Sequence, residues 1–278
     1  MASLNIILGA ADFSAVSIGT GVPYIPSEVD ADRILQEFSS VSDAKKAAFR
    51  LFIYRLKVIG VFSKVKLMLL PFLSSTPTEA RRDYSNLDSY VDAIKEESIS
   101  TNYGFVFDEN DKTIKSGLYQ GSVNSNVRAE ILNNNNITAM NCCVITCSKN
   151  STSEESVQYA TLSPVQYTYL KTESISFYHS GNNNILTSET PISVLKDKPL
   201  IGCWSYEDST MYYMGGDGVL LEKALNKEYM GNYTSTQPAN FGSCPRFQPL
   251  SIYIITEALT KEQISNVYEA MNDLMVFF

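Results

Sequence analysis

The stretch that decides how this chain is built is Pro199-Leu200-Ile201-Gly202-Cys203-Trp204-Ser205, continued by Thr210-Met211-Tyr212-Tyr213-Met214 and Val219-Leu220-Leu221. Glu207-Asp208 separates the first two runs, and Gly215-Gly216-Asp217-Gly218 separates the last two. Such clusters supply positive-φ positions and side chains that bond their own backbone, as tight hairpin turns require. The stretch therefore reads as strand, turn, strand, turn, strand.

The same texture extends outward in both directions from about Tyr103. Further candidate strands are Gly104–Phe107, Gly117–Gln120, Ala139–Ser148, Val157–Leu162, Thr168–Leu170, Ser174–His179 and Leu250–Ile255. Asn133-Asn134-Asn135-Asn136 and Ser180-Gly181-Asn182-Asn183-Asn184 lie between them. Many short strands with regular turn signals predict two packed antiparallel sheets. The region before them reads differently. Ser27 is placed to cap a helix through Ile34, Leu35 and Phe38, and Ser42-Asp43 to cap a second. In that second helix Phe49, Phe52, Ile53, Leu56 and Ile59 fall on one face, and Gly60 ends it. A third helical stretch is predicted from Phe62 to Leu70, stopped by Pro71. At the far end Thr260 and Gln263 form a capping box before the stripe Ile264, Val267, Tyr268, Met271 and Leu274. That last helix is expected to pack across the base of the sheets.

Residues 1–26 hold Gly9, Gly19, Gly21, Pro23 and Pro26 among short apolar runs and read as an extended arm. An arm with so little surface must lie on something, so Ile6, Leu8, Phe13, Val16 and Ile18 are the expected attachment or oligomer contacts. The division is thus 1–26 arm, 27–75 helical segment, and 76–278 β-sandwich with its closing helix.

Charge and composition remove several function classes. A net charge of −8 and a pI near 4.8 argue against nucleic acid, which needs a basic face. The N-terminus lacks the basic start of a signal peptide, and the apolar run Ile59–Leu73 carries two lysines and is too short to span a bilayer. Membrane insertion is not expected. One histidine cannot supply a zinc site built on several imidazoles. Cys142, Cys143, Cys147, Cys203 and Cys244 read as buried reduced thiols, with Cys143 and Cys147 on one strand face and Cys142 on the other.

The carboxylates give no catalytic pair. Glu28-Val29-Asp30-Ala31-Asp32 lies at a helix start, where acids favour the dipole. Glu154-Glu155 and Glu207-Asp208 sit in turns without a partner acid at strand spacing. His179 precedes Ser180-Gly181 and reads as a turn-flanking imidazole. Asp108-Glu109-Asn110-Asp111-Lys112 offers oxygens for calcium but departs from an EF-hand loop at Lys112. No enzyme activity, cofactor or metal is expected. Trp204, Tyr206, Tyr212, Tyr213, Tyr229 and Tyr233 could instead form an aromatic platform for a sugar, with Trp204 and Tyr206 as the expected glycan contacts. The competing reading of these aromatics is half-buried sheet packing.

The closing run Pro249-Leu250-Ser251-Ile252-Tyr253-Ile254-Ile255-Thr256-Glu257-Ala258-Leu259-Thr260-Lys261-Glu262-Gln263-Ile264, continued by Val267-Tyr268-Glu269-Ala270-Met271, resembles that of bacteriophage virion proteins with a concanavalin A-like (laminin G-like) jelly-roll. Phe49, Phe52, Leu56, Gly60, Val61, Phe62, Lys64 and Val65 are similar to the segment that precedes the sandwich there. Asn136-Ile137-Thr138-Ala139-Met140-Asn141-Cys142-Cys143-Val144 resembles the strand after the polar loop. The resemblance covers about residues 28–278 through packing and turn patterns. It implies a non-enzymatic part of a virion (head fibre, capsid decoration or tail appendage), assembled in the bacterial cytoplasm. Other capsid or tail proteins would be its partners, with two or three copies on a symmetric mount. A carbohydrate-binding module contacting host glycans is the alternative.

Overall fold

Leu250–Thr256 is the strand on which the fold is assembled, because it takes partners along both edges. The computed structural model describes residues 28–80, 82–87, 99–100, 104–105, 141–148, 157–162, 166–170, 175–179, 184–189, 198–205, 207–226, 242–243 and 250–277. The chain is mostly β, with antiparallel sheets and a C-terminal helix. Its strands are β1 (Val65–Leu69), β2 (Ile99–Ser100), β3 (Gly104–Phe105), β4 (Asn141–Ser148), β5 (Val157–Leu162), β6 (Gln166–Leu170) and β7 (Ile175–His179). Then follow β8 (Asn184–Ser188), β9 (Pro199–Ser205), β10 (Thr210–Met214), β11 (Leu220–Ala224), β12 (Gly242–Ser243) and β13 (Leu250–Thr256). The helices are α1 (Val29–Leu35), α2 (Asp43–Val58), α3 (Pro77–Ala80) and α4 (Lys261–Met275).

The larger sheet runs β11-β10-β9-β4-β13-β3-β2, with β1 also on β13; the second runs β12-β5-β6-β7-β8. Register sorts the larger sheet's side chains into two sets. Cys143, Ile145, Ile201, Cys203, Met214, Ile252, Ile254 and Met68 share one face, where they pack with Phe49, Phe52, Ile53 and Leu56 of α2 and Ile264, Val267 and Met271 of α4. Cys142, Val144, Leu200, Trp204, Met211, Tyr213, Tyr253 and Ile255 point the other way and are buried as well. On that side the second sheet comes close: Lys223 of β11 donates through Nζ to the Ile185 carbonyl of β8 at 3.2 Å, and Leu186 is buried. Both faces of the central strands are therefore covered, so β9 is buried along its whole length.

Several local expectations hold. The Ser42 hydroxyl caps α2, Gly60 ends it at φ +68°, and the Thr260–Gln263 capping box is complete. The aromatic face of α2 is covered by the sheet rather than left for a partner. The hairpins at Glu207-Asp208 and Gly215–Gly218 join β9 to β10 and β10 to β11. Three expectations need correction. The stretch Phe62–Leu70 is not a helix but a single 3-10 turn (Phe62–Lys64) followed by β1, whose backbone is taken up by β13. The α1 cap is Glu28, whose Oε2 accepts the Ala31 N–H at 2.7 Å, not Ser27. Helix α4 lies on the sheet face beside α2, not across an end of the sheets. Candidate strand Gly117–Gln120, the Asn133–Asn136 turn and the Asp108–Lys112 loop lie outside the described residues.

Candidate functional site

Strand alternation separates the aromatics that the sequence offered as a platform. Trp204 sits opposite Cys142 on β4 and Met211 on β10, with no exposed surface, and Tyr213 shares its face. Trp204 therefore presents no ring face to a sugar; the cause is the second covered face of the sheet. Tyr212 points the other way and is partly exposed beside α4. The Lys261 ammonium lies 5.9 Å from its ring centroid and pairs with Glu222 of β11, so the first turn of α4 is fastened to the hairpin. Burial raises the Tyr212 phenol above its ordinary range. Tyr206, Tyr229 and Tyr233 lie outside the described residues, as do Ile6, Leu8, Phe13, Val16 and Ile18 of the arm.

The acids of the turns bond within their own hairpins. Asp208 accepts from the Ser205 hydroxyl at 2.8 Å, while its own N–H donates to Ser205 Oγ at 3.1 Å. Ser209 adopts φ 55° there, and its carbonyl accepts the Leu225 N–H at 2.8 Å. At the next turn Asp217 Oδ1 accepts the Val219 N–H at 3.0 Å, and Gly218 donates to the Gly215 carbonyl at 2.7 Å. Gly218 packs against the Tyr268 ring of α4, where an added Cβ would lie 3.5 Å from Cε1. The β10–β11 tip is thus tied down by a carboxylate on a main-chain donor, and the β9–β10 tip by a reciprocal pair in which the Ser205 hydroxyl donates to Asp208 and accepts its N–H.

Cations elsewhere join one element to another. Lys57 of α2 pairs with Glu28 and Asp30 at the start of α1, and Arg50 pairs with Asp32 at 2.6 Å. Glu28 is the N-cap of α1 and Asp30 and Asp32 lie in its first turn, as the helix-start reading expected. Arg82 pairs with Glu37, and Lys66 of β1 with Glu257 at 2.8 Å. Sequence reasoning missed these clamps, because pairing across elements has no spacing signature.

Cys142, Cys143, Cys147 and Cys203 are buried free thiols. Burial pushes the Cys142 and Cys143 thiols well above the usual range. Cys244 lies outside the described residues, and His179 ends β7 opposite Gln166 and Asn184. Among the described residues no group of three metal-ligating side chains converges, and no helix is long and apolar enough to cross a membrane.

No protein-family model and no curated protein matches the chain. Among solved structures it is similar to the carbohydrate-binding module (CBM40) of the Ruminococcus gnavus IT-sialidase bound to α2,6 sialyllactose. That similarity has 12% identity and a TM-score of 0.34, over 46% of this chain and 84% of that one. The same module bound to α2,3 sialyllactose gives 13% identity and a TM-score of 0.34, over 46% and 83%. A leech intramolecular trans-sialidase gives 12% and 0.33, over 46% of this chain and 23% of that one. At these TM-scores the likeness carries no argument about function.

Proposed function

We propose that this chain is a non-enzymatic structural component of a bacteriophage virion: a head fibre, capsid decoration or tail appendage. It attaches through its N-terminal region and projects a concanavalin A-like jelly-roll as a rigid body. The observation that supports this reading is the placement of the charged side chains. Arg55 and Lys66 tie early segments to the C-terminal one, Arg82 pairs with Glu37, and Lys57 and Arg50 clamp α2 to the neighbouring α1. With both faces of the central sheet covered, such a body resists deformation, which is what a particle component needs. The test is deletion of residues 1–26. The truncated protein should fold and fail to enter particles beside its capsid or tail partners. Normal incorporation would sink the anchoring claim.

A carbohydrate-binding module contacting host glycans is the second reading. Its support is the partly exposed Tyr212 with Lys261 and Glu222 alongside, an aromatic and polar mix of the kind sugars use. A glycan array separates the two. Saturable binding that Tyr206→Ala or Tyr212→Ala removes favours the module, and the absence of any binding favours the purely structural role.

A further inference from the structure

Cys143 and Cys203 occupy directly opposed positions on β4 and β9, two central strands of the larger sheet. Both side chains face the helical layer, at 0% and 1% exposure. Opposed residues on antiparallel strands have Cα atoms about 4.5 or 5.5 Å apart, and both spacings fall within the range a disulfide spans. Cys142 points to the opposite face, and Cys147 is opposed by Pro199, so register gives neither of them a facing thiol. Cys203 also contacts the segment that leads into α4. Its Sγ accepts the Leu259 N–H at 3.2 Å and donates to the Leu259 carbonyl at 3.6 Å.

We propose that Cys143 and Cys203 are a redox-active pair that a small peroxide converts into a cross-strand disulfide joining β4 to β9. The Cys203 thiolate attacks one oxygen of hydrogen peroxide; the O–O bond breaks and hydroxide leaves, taking up a proton to become water. The sulfur of Cys143 then attacks the resulting sulfenic acid. The S–O bond breaks, and the departing hydroxyl combines with the Cys143 proton as a second water. Two thiols lose two electrons and two protons, and one peroxide is reduced to two waters. The oxidant must be small because both thiols are fully buried.

The test treats the folded full-length protein with hydrogen peroxide, alkylates the remaining thiols after denaturation, and maps the peptides by mass spectrometry. The expected product lacks two hydrogens, links the peptides of Cys143 and Cys203, keeps the other three thiols alkylated, and reverts with dithiothreitol. Cys142→Ala and Cys147→Ala should leave the link intact, whereas Cys203→Ala should abolish it. Five alkylated thiols after treatment would overturn the proposal. So would a link between any other pair, or sulfinic acid at Cys203 in place of a link. The wild-type peptide map decides the matter even where a core variant folds poorly.

Discussion

Arg55 on α2 and Asp273 on α4, 218 residues apart in sequence, meet at 2.5 Å between Nη1 and Oδ2. The Arg55 side chain is 11% exposed and its partner 57%, so a nearly buried cation is answered by a carboxylate at the rim. This contact holds the two long helices of the outer layer against one another. Asp273→Ala should lower stability by about 1 kcal/mol, the scale of a half-exposed charged contact. A thermal midpoint unchanged from wild type would mean that apolar packing alone holds the helices.

Trp204 is the single tryptophan of the chain and has no exposed surface, so its fluorescence reports on the interior of the sheet. Its emission should be blue-shifted and resistant to iodide until the protein unfolds. Trp204→Ala should cost about 3–5 kcal/mol, the usual price of an emptied aromatic site. Ready iodide quenching in the folded state would contradict its burial.

Two glycines should respond differently to alanine. At Gly60 the nearest atom to an added Cβ is 3.9 Å away, so Gly60→Ala should cost only the backbone strain of φ +68°, about 1–2 kcal/mol. At Gly215 the added Cβ would stand 2.8 Å from Tyr213 Oη, inside a buried site. Gly215→Ala should lose about 1–3 kcal/mol by overpacking, and Tyr213→Phe should return part of it. Denaturant midpoints of the single and double variants check this.

Alkaline pH should destabilise the protein early. Burial keeps Cys142 and Cys143 protonated in the fold well above the range where an unfolded thiol ionises, near about 8.5. Between those limits the unfolded chain binds fewer protons, so stability falls as pH rises, by up to about 1.4 kcal/mol per pH unit for each thiol. Below about pH 8 both states are protonated and this contribution to the pH dependence vanishes. Tyr253, raised by burial, adds to the decline above about pH 10. Urea midpoints from pH 7 to 10 should slope downward, and Cys142→Ala should flatten the slope.

The local grammar of the chain was readable wherever one side chain decides a backbone shape. Ser42, Gly60, the Thr260–Gln263 pair and the Gly215–Gly218 turn all act where the sequence placed them. Val65–Leu69 was not readable as a strand. A five-residue run that is apolar but for Lys66 is too short to fix a period, and only the far partner β13 selects the extended form. Two-sided burial of β9 hid the fate of Trp204, because an aromatic strand looks alike with one face covered or two. The ion pairs between α1, α2 and α4 were invisible because they depend on packing geometry, not spacing.

The place of β13 between β1 and β4 also governs how the polypeptide can reach its native state. β1 is made near residue 65, yet the neighbour that completes it arrives near residue 250. On a ribosome the early helices and first strand must wait, with apolar surface uncovered, until almost the whole chain has emerged. Contacts so distant in sequence make for slow, late consolidation and a window in which aggregation competes.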